Sequence, residues 1–234
     1  MLDTTNLLWY GSLAVEFLFC IYLIWTKLAR SYPTFTICLG FSILRSLAAM
    51  YFMRGAVGAL LPLSYTYFWL WSEPVWLLLQ LAVALEVHTK MWKDYGAVLQ
   101  QTRPLLLFAL LIALVAAAIP LKAELARAGT SHLIAMMHFG FLVTRYVSSV
   151  LAIFLLLSAA LFLFVVHNGA TPSQLRHEGM LAAYFGIYAI VTFFVGMGWS
   201  RPVFLNGYLA SALTLCFVLW FSVFKAHPLA SDQA

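Results

Sequence analysis

The stretch that decides the fold runs from His132 to Val166: HLIAMMHFGFLVTRYVSSVLAIFLLLSAALFLFVV. It is 35 residues long and carries one formal charge, Arg145. As an α-helix it would measure about 50 Å at ~1.5 Å per residue. The hydrocarbon core of a bilayer is about 30 Å thick. The run therefore predicts a spanning helix that tilts strongly, projects past the bilayer, or breaks into two pieces. A β-barrel is the wrong reading, because barrel strands alternate apolar and polar residues over about 10 positions. Here the apolar run is continuous.

Six further stretches repeat the pattern: Asn6–Thr26, Phe35–Met53, Ser64–Thr89, Pro104–Pro120, Gly179–Ser200 and Val203–Phe224. The expected fold is an all-α polytopic membrane protein, a bundle of seven transmembrane helices forming a single domain over residues 1–234. Composition agrees. The chain is 64% hydrophobic and 9% charged, against about 45–50% and 25% in soluble domains. Those figures exclude a soluble globular domain, a disordered chain, a collagen and a disulfide scaffold. Short loops favour antiparallel neighbours. Seven spans also permit two triplets joined by the fourth helix, although Asn6–Thr89 and His132–Phe224 show no clear similarity.

Orientation follows from the basic loop residues. With the N-terminus outside, the inner flanks hold Lys27, Arg30, Lys90, Lys93, Arg103, Arg176 and Lys225. The outer flanks hold Arg54, Lys122, Arg127 and Arg201. The excess favours N-out and C-in, in a bacterial-type inner (cytoplasmic) membrane. The net charge of +5 then orients the chain and contacts anionic lipid. Nucleic acid is excluded as a partner, because no basic face stands outside the membrane. Met1–Asn6 lacks the basic residue of a signal peptide, so the first helix is expected to stay as an anchor. The ten residues from Lys225 to Ala234 carry no fused output domain, so a signal would leave through a separate partner. Cys20, Cys38 and Cys216 all fall inside spans, where a structural disulfide is not expected.

Four charges lie deep: Glu16, Arg45, Glu73 and Arg145. Each sits about 13–20 Å from the nearer membrane face. A charge at mid-membrane costs about 2.5–3.5 kcal/mol on insertion scales. Two acids and two arginines cancel, so the economical expectation is one buried ionic network. Glu16 is expected to pair with Arg45, whose helices share a short loop, and Glu73 with Arg145. Positions seven apart nearly eclipse on a helix. This spacing aligns Thr66, Glu73 and Gln80, with Trp69 and Trp76 beside them. It also aligns His138 with Arg145 and Ser149 close by. Trp9, Ser12, Glu16 and Cys20 share a face, as do Cys38, Ser42 and Arg45. Tyr184, Tyr188 and Thr192 repeat hydroxyls every four residues. Pro104–Pro120 has no polar side chain and belongs at the periphery.

These groups either satisfy one another or line a polar cavity. Intramembrane ionisable groups are by default a site for function. Pro74, directly after Glu73, removes a backbone donor and frees a carbonyl near Leu70. Trp69 and Trp76 could wall an apolar or cationic ligand. The expected ligand site or ionic network is Glu16, Arg45, Glu73, Arg145, His138, Gln80, Trp69, Trp76, Tyr184 and Tyr188.

Enzyme motifs are missing. The spans hold no aspartate, and no Ser–His pair, His-Glu-x-x-His or phosphate loop is recognisable. Bis-histidine haem needs two histidines at one depth. His138 has no such partner, and His88 with His177 meets only at the inner rim. No metal or other cofactor is expected. The last helix has no mid-span lysine for a retinal Schiff base. The Thr144-Arg145-Tyr146 triplet lies mid-helix, so no receptor assignment is transferred from it.

The leading expectation is a non-enzymatic membrane protein of receptor or sensor type. It would bind a small molecule in the outer half and signal to a separate membrane or cytoplasmic protein. Its other partner is the lipid bilayer. The alternatives are a small proton- or ion-coupled transporter working through Glu16 or Glu73, and a structural subunit of a larger membrane complex.

Overall fold

A computed structural model describes residues 4–53, 63–125, 132–166, 172–196, 212 and 214–222. All regular structure among them is helical. The elements are α1 (Thr4–Trp25), α2 (Leu28–Ser31), α3 (Pro33–Met53), α4 (Leu63–Met91), α5 (Gly96–Leu125), α6 (His132–Val166) and α7 (Pro172–Gly196). A last helical segment covers 214–222. Among the described residues, five helices are long and apolar enough to cross a membrane, and α7 holds a shorter apolar stretch, Gly179–Val191. This is the build of a multi-pass membrane protein. The expected seventh span, Val203–Phe224, lies mostly outside the described residues.

The outward surface supports that reading. Trp25, Trp71 and Phe164 are each about four-fifths exposed, as part of an apolar surface that covers every long helix. Such extended apolar patches are untenable in water and ordinary against lipid tails.

The 35-residue α6 resolves the choice left by its sequence. It is one unbroken helix, about 52 Å long. It packs most extensively on α5 and α7 and also meets α4. Likewise, α4 continues through Pro74. α5 lies against α6 and turns Leu107, Phe108, Leu111 and Val115 outward. α3 packs between α1 and α4.

The α1–α3 turn contains an element the sequence did not predict. Lys27 takes a left-handed conformation (φ 60°) and starts the single turn of α2. Pro33 then opens α3, where its missing N–H is no loss. The free N–H groups of that first turn are met by α4. Phe35 N–H donates to Glu86 Oε2 at 3.0 Å, and Thr34 N–H points to Oε1 at 3.5 Å. A carboxylate is suited to the positive end of a helix. Lys90 Nζ lies 3.7 Å from Glu86 and 3.7 Å from the Tyr32 ring centroid. Burial pushes the Tyr32 phenol up to about 12, and the Glu86 carboxylate adds to it.

The core is continuous across the helices. Phe19 meets Phe35, Phe217 and Trp220 at centroid distances of 5.9, 5.9 and 6.2 Å. This aromatic cluster joins α1, α3 and 214–222 near the Met91 end of the bundle.

Candidate functional site

The buried face of α4 organises the site. Thr66, Glu73 and Gln80 are each at most 5% exposed, and Trp76 lies among them. Their seven-residue spacing brings them to the side that meets α3, α6 and α7.

Glu73 has its partners in hand. Arg45 of α3 forms an ion pair with Glu73 Oε2 and donates through Nε to Ser72 Oγ at 3.1 Å. Thr144 of α6 donates to Glu73 Oε1 at 2.7 Å. The Arg45 guanidinium also lies 5.7 Å from the Trp76 ring centroid. Three helices are thus tied at mid-depth by charge-assisted bonds, which are among the stronger kinds.

This pairing differs from the one expected. Arg45 reaches forward to α4, since α3 packs between α1 and α4 and presents Arg45 to the second. Glu16 instead accepts from Ser42 Oγ at 2.8 Å. Arg145 donates to the Tyr146 hydroxyl at 3.1 Å, its guanidinium 4.8 Å from that ring centroid. Among the described contacts, the four charges do not close into one network.

The inward face of α6 is also shifted from the expected one. Thr144, Ser148, Leu151 and Leu155 are buried, whereas His138, Arg145 and Ser149 are only partly so. Trp69 is seated in helix packing. It stacks on Phe141 at 4.8 Å, and a Cβ on Gly140 would come within 2.9 Å of its ring. Trp76 stacks on Phe41 at 6.3 Å. Tyr184 and Tyr188 lie 5.9 Å apart on α7, and Thr192 falls outside the residues whose side chains are described.

Two turns along α4 the situation changes. A cavity of about 20 Å³ lies between α3, α4, α7 and 214–222, lined by Cys38, Trp76, Gln80, Tyr184, Phe217 and others. The Gln80 amide nitrogen and oxygen, and the Trp76 indole nitrogen, are buried without a hydrogen-bond partner. Tyr184 brings its hydroxyl near Gln80 and Tyr188 near Trp76, neither in hydrogen-bond geometry. Ser148 Oγ is likewise buried and unmatched. The open space is therefore on the Met91 side of the ion pair, whereas the sequence placed it toward the Leu63 end.

A second polar cluster was not foreseen. His88 is fully buried, with Nδ1 2.9 Å from Ser158 Oγ and Nε2 2.8 Å from Thr102 Oγ1. Trp92 Nε1–H donates to the same Ser158 oxygen at 2.9 Å. Thr102 gives its hydroxyl proton to the Val98 carbonyl at 2.9 Å. Donor accounting then assigns the imidazole proton to Nε2, with Ser158 donating to Nδ1. The chain ties α4, α5 and α6. Its signal was available, because Thr144, Leu151 and Ser158 repeat every seven residues on α6. The suggested His88–His177 pair involves a residue whose side chain is not described.

Comparison of this chain with protein families, with curated proteins and with solved structures finds no match.

Proposed function

We propose that this chain is a seven-span, non-enzymatic membrane protein of receptor or sensor type, N-out and C-in, in a bacterial-type cytoplasmic membrane. A small charged molecule entering from the outer side would exchange with one member of the Arg45–Glu73 pair and so re-seat α3 and α4 against α6. The movement would be read at the inner face by a separate protein. The observation that supports this is the Arg45–Glu73 pair itself, closed by Ser72 and Thr144 at the junction of three helices. A ligand shifts helices only as far as it binds one arrangement better than the other. A buried pair offers large differential contacts of that kind.

The test is a thermal-shift screen of small carboxylates and amines on the protein in nanodiscs. A sensor yields a compound that raises the melting temperature of the unmodified chain and leaves Glu73→Gln unmoved. Solute uptake into proteoliposomes that collapses in Glu73→Gln would replace this reading with a transporter.

One observation favours a proton-coupled transporter as the second reading. Glu16 is buried and, among the described residues, is met by the Ser42 hydroxyl and by no cation, and intramembrane acids of this kind serve proton relays. Solute flux driven by a pH gradient, and lost in Glu16→Gln, would establish it.

A further inference from the structure

The cavity beside Gln80 is separate from the ion pair. It lies about 10 Å along α4 from Glu73, seven residues at ~1.5 Å each. A buried amide without partners is costly, because its donor and its acceptor have each lost water. Natural proteins leave few such groups unmatched, and ordered water is a common remedy. Water needs about 10–15 Å³ of room and two to four polar partners. The cavity supplies about 20 Å³. Gln80 supplies one acceptor and one donor, and Trp76 supplies a second donor. The Tyr184 hydroxyl stands nearby as a further partner.

The rest of the wall is apolar and aromatic, including Phe35, Phe217 and Trp220. Room for one small molecule, a donor and an acceptor on one amide, and no cation or carboxylate among the described lining residues define the occupant. We infer that this cavity is a binding site for a single neutral, water-sized hydrogen-bonding molecule, namely an ordered water held between the Gln80 amide and the Trp76 indole N–H. That water then joins α4 to the α7 side of the bundle, where the Tyr184 hydroxyl stands close to Gln80. The site stands whether the chain proves to be a sensor or a transporter.

The probe is water itself. The full chain is labelled with ¹⁵N-tryptophan in deuterated detergent, and the Trp76 indole proton is identified by its loss in Trp76→Phe. A long-lived water gives a cross-peak from that proton to the solvent resonance. The expected result is such a cross-peak in the unmodified chain and its disappearance in Gln80→Met, with the seven other tryptophan indoles unchanged. No cross-peak in the unmodified chain overturns the site, as does a cross-peak that persists in Gln80→Met. Should Gln80→Met fail to fold, the unmodified chain decides alone.

Discussion

Glu73 and Gln80 occupy the same line of α4, seven residues apart, yet their surroundings are opposites. Glu73 is met by an arginine from α3 and a hydroxyl from α6. Gln80 is met by aromatic rings and a small cavity. The charged residue could not remain unmatched at that depth, since an uncompensated buried charge is far more costly than an unmatched amide. The neutral one can be matched by a solvent molecule. Polar residues of one stripe therefore need not share one role. The first ties helices directly, and the second leaves a gap for something small.

The largest expected effect tests the first half of that contrast. Arg45→Ala or Glu73→Ala should each cost about 3–5 kcal/mol, because each leaves a buried charge alone. The double variant should cost less than the sum. Denaturant unfolding in micelles measures both. Arg45→Ala combined with Glu16→Ala should instead be close to additive. Coupling between Arg45 and Glu16, with none between Arg45 and Glu73, would reverse the assignment of partners.

The seating of the same region gives the next effect. Gly140→Ala places a methyl within 2.9 Å of the Trp69 ring, and overpacking of this kind costs about 1–3 kcal/mol. Trp69→Leu in the same chain should recover part of the loss in the same unfolding measurement.

Gln80→Met should cost about 1–3 kcal/mol, since losing the amide and its water leaves the buried Trp76 indole N–H without a partner. A loss as large as that of Glu73→Ala would erase the difference between the two positions.

The smallest effect lies away from both. The Tyr32 phenol is held up at about 12, above the unfolded value near 10. Its contribution is present below pH 10 and is lost as pH rises from about 10 toward 12. Melting curves over that range should fall less steeply in Tyr32→Phe than in the unmodified chain.

The membrane helices were legible because their apolar runs are long and continuous. The buried face of α4 was legible as well, because Thr66, Glu73 and Gln80 keep a seven-residue period. The pairing of charges was not. Loop length suggested Glu16 for Arg45, but side-chain direction on α3 decides the partner, and α3 has neighbours on both sides. On α6 the charged stripe favoured Arg145, whereas the smaller Thr144 and Ser148 are the polar residues buried there, Thr144 bonded to Glu73 of α4. A long arginine arm can work from the margin of a contact. The position of the cavity depends on how the Phe35, Tyr184 and Phe217 rings pack, which no period in the sequence encodes. The short α2 escaped notice because its left-handed start falls on Lys27, a residue type that gives no turn signal.

Two features of α3 bear on how the chain enters the membrane. Its mid-span arginine is neutralised by Glu73, and its first N–H groups are met by Glu86. Both carboxylates belong to α4. Until α4 is made, α3 carries a lone charge at mid-depth, with the penalty that entails. The natural unit of insertion is therefore the α3–α4 hairpin, with the later helix completing the earlier one. A chain halted before Glu73 should leave α3 poorly held in the bilayer, a dependence that glycosylation mapping of truncated nascent chains can follow.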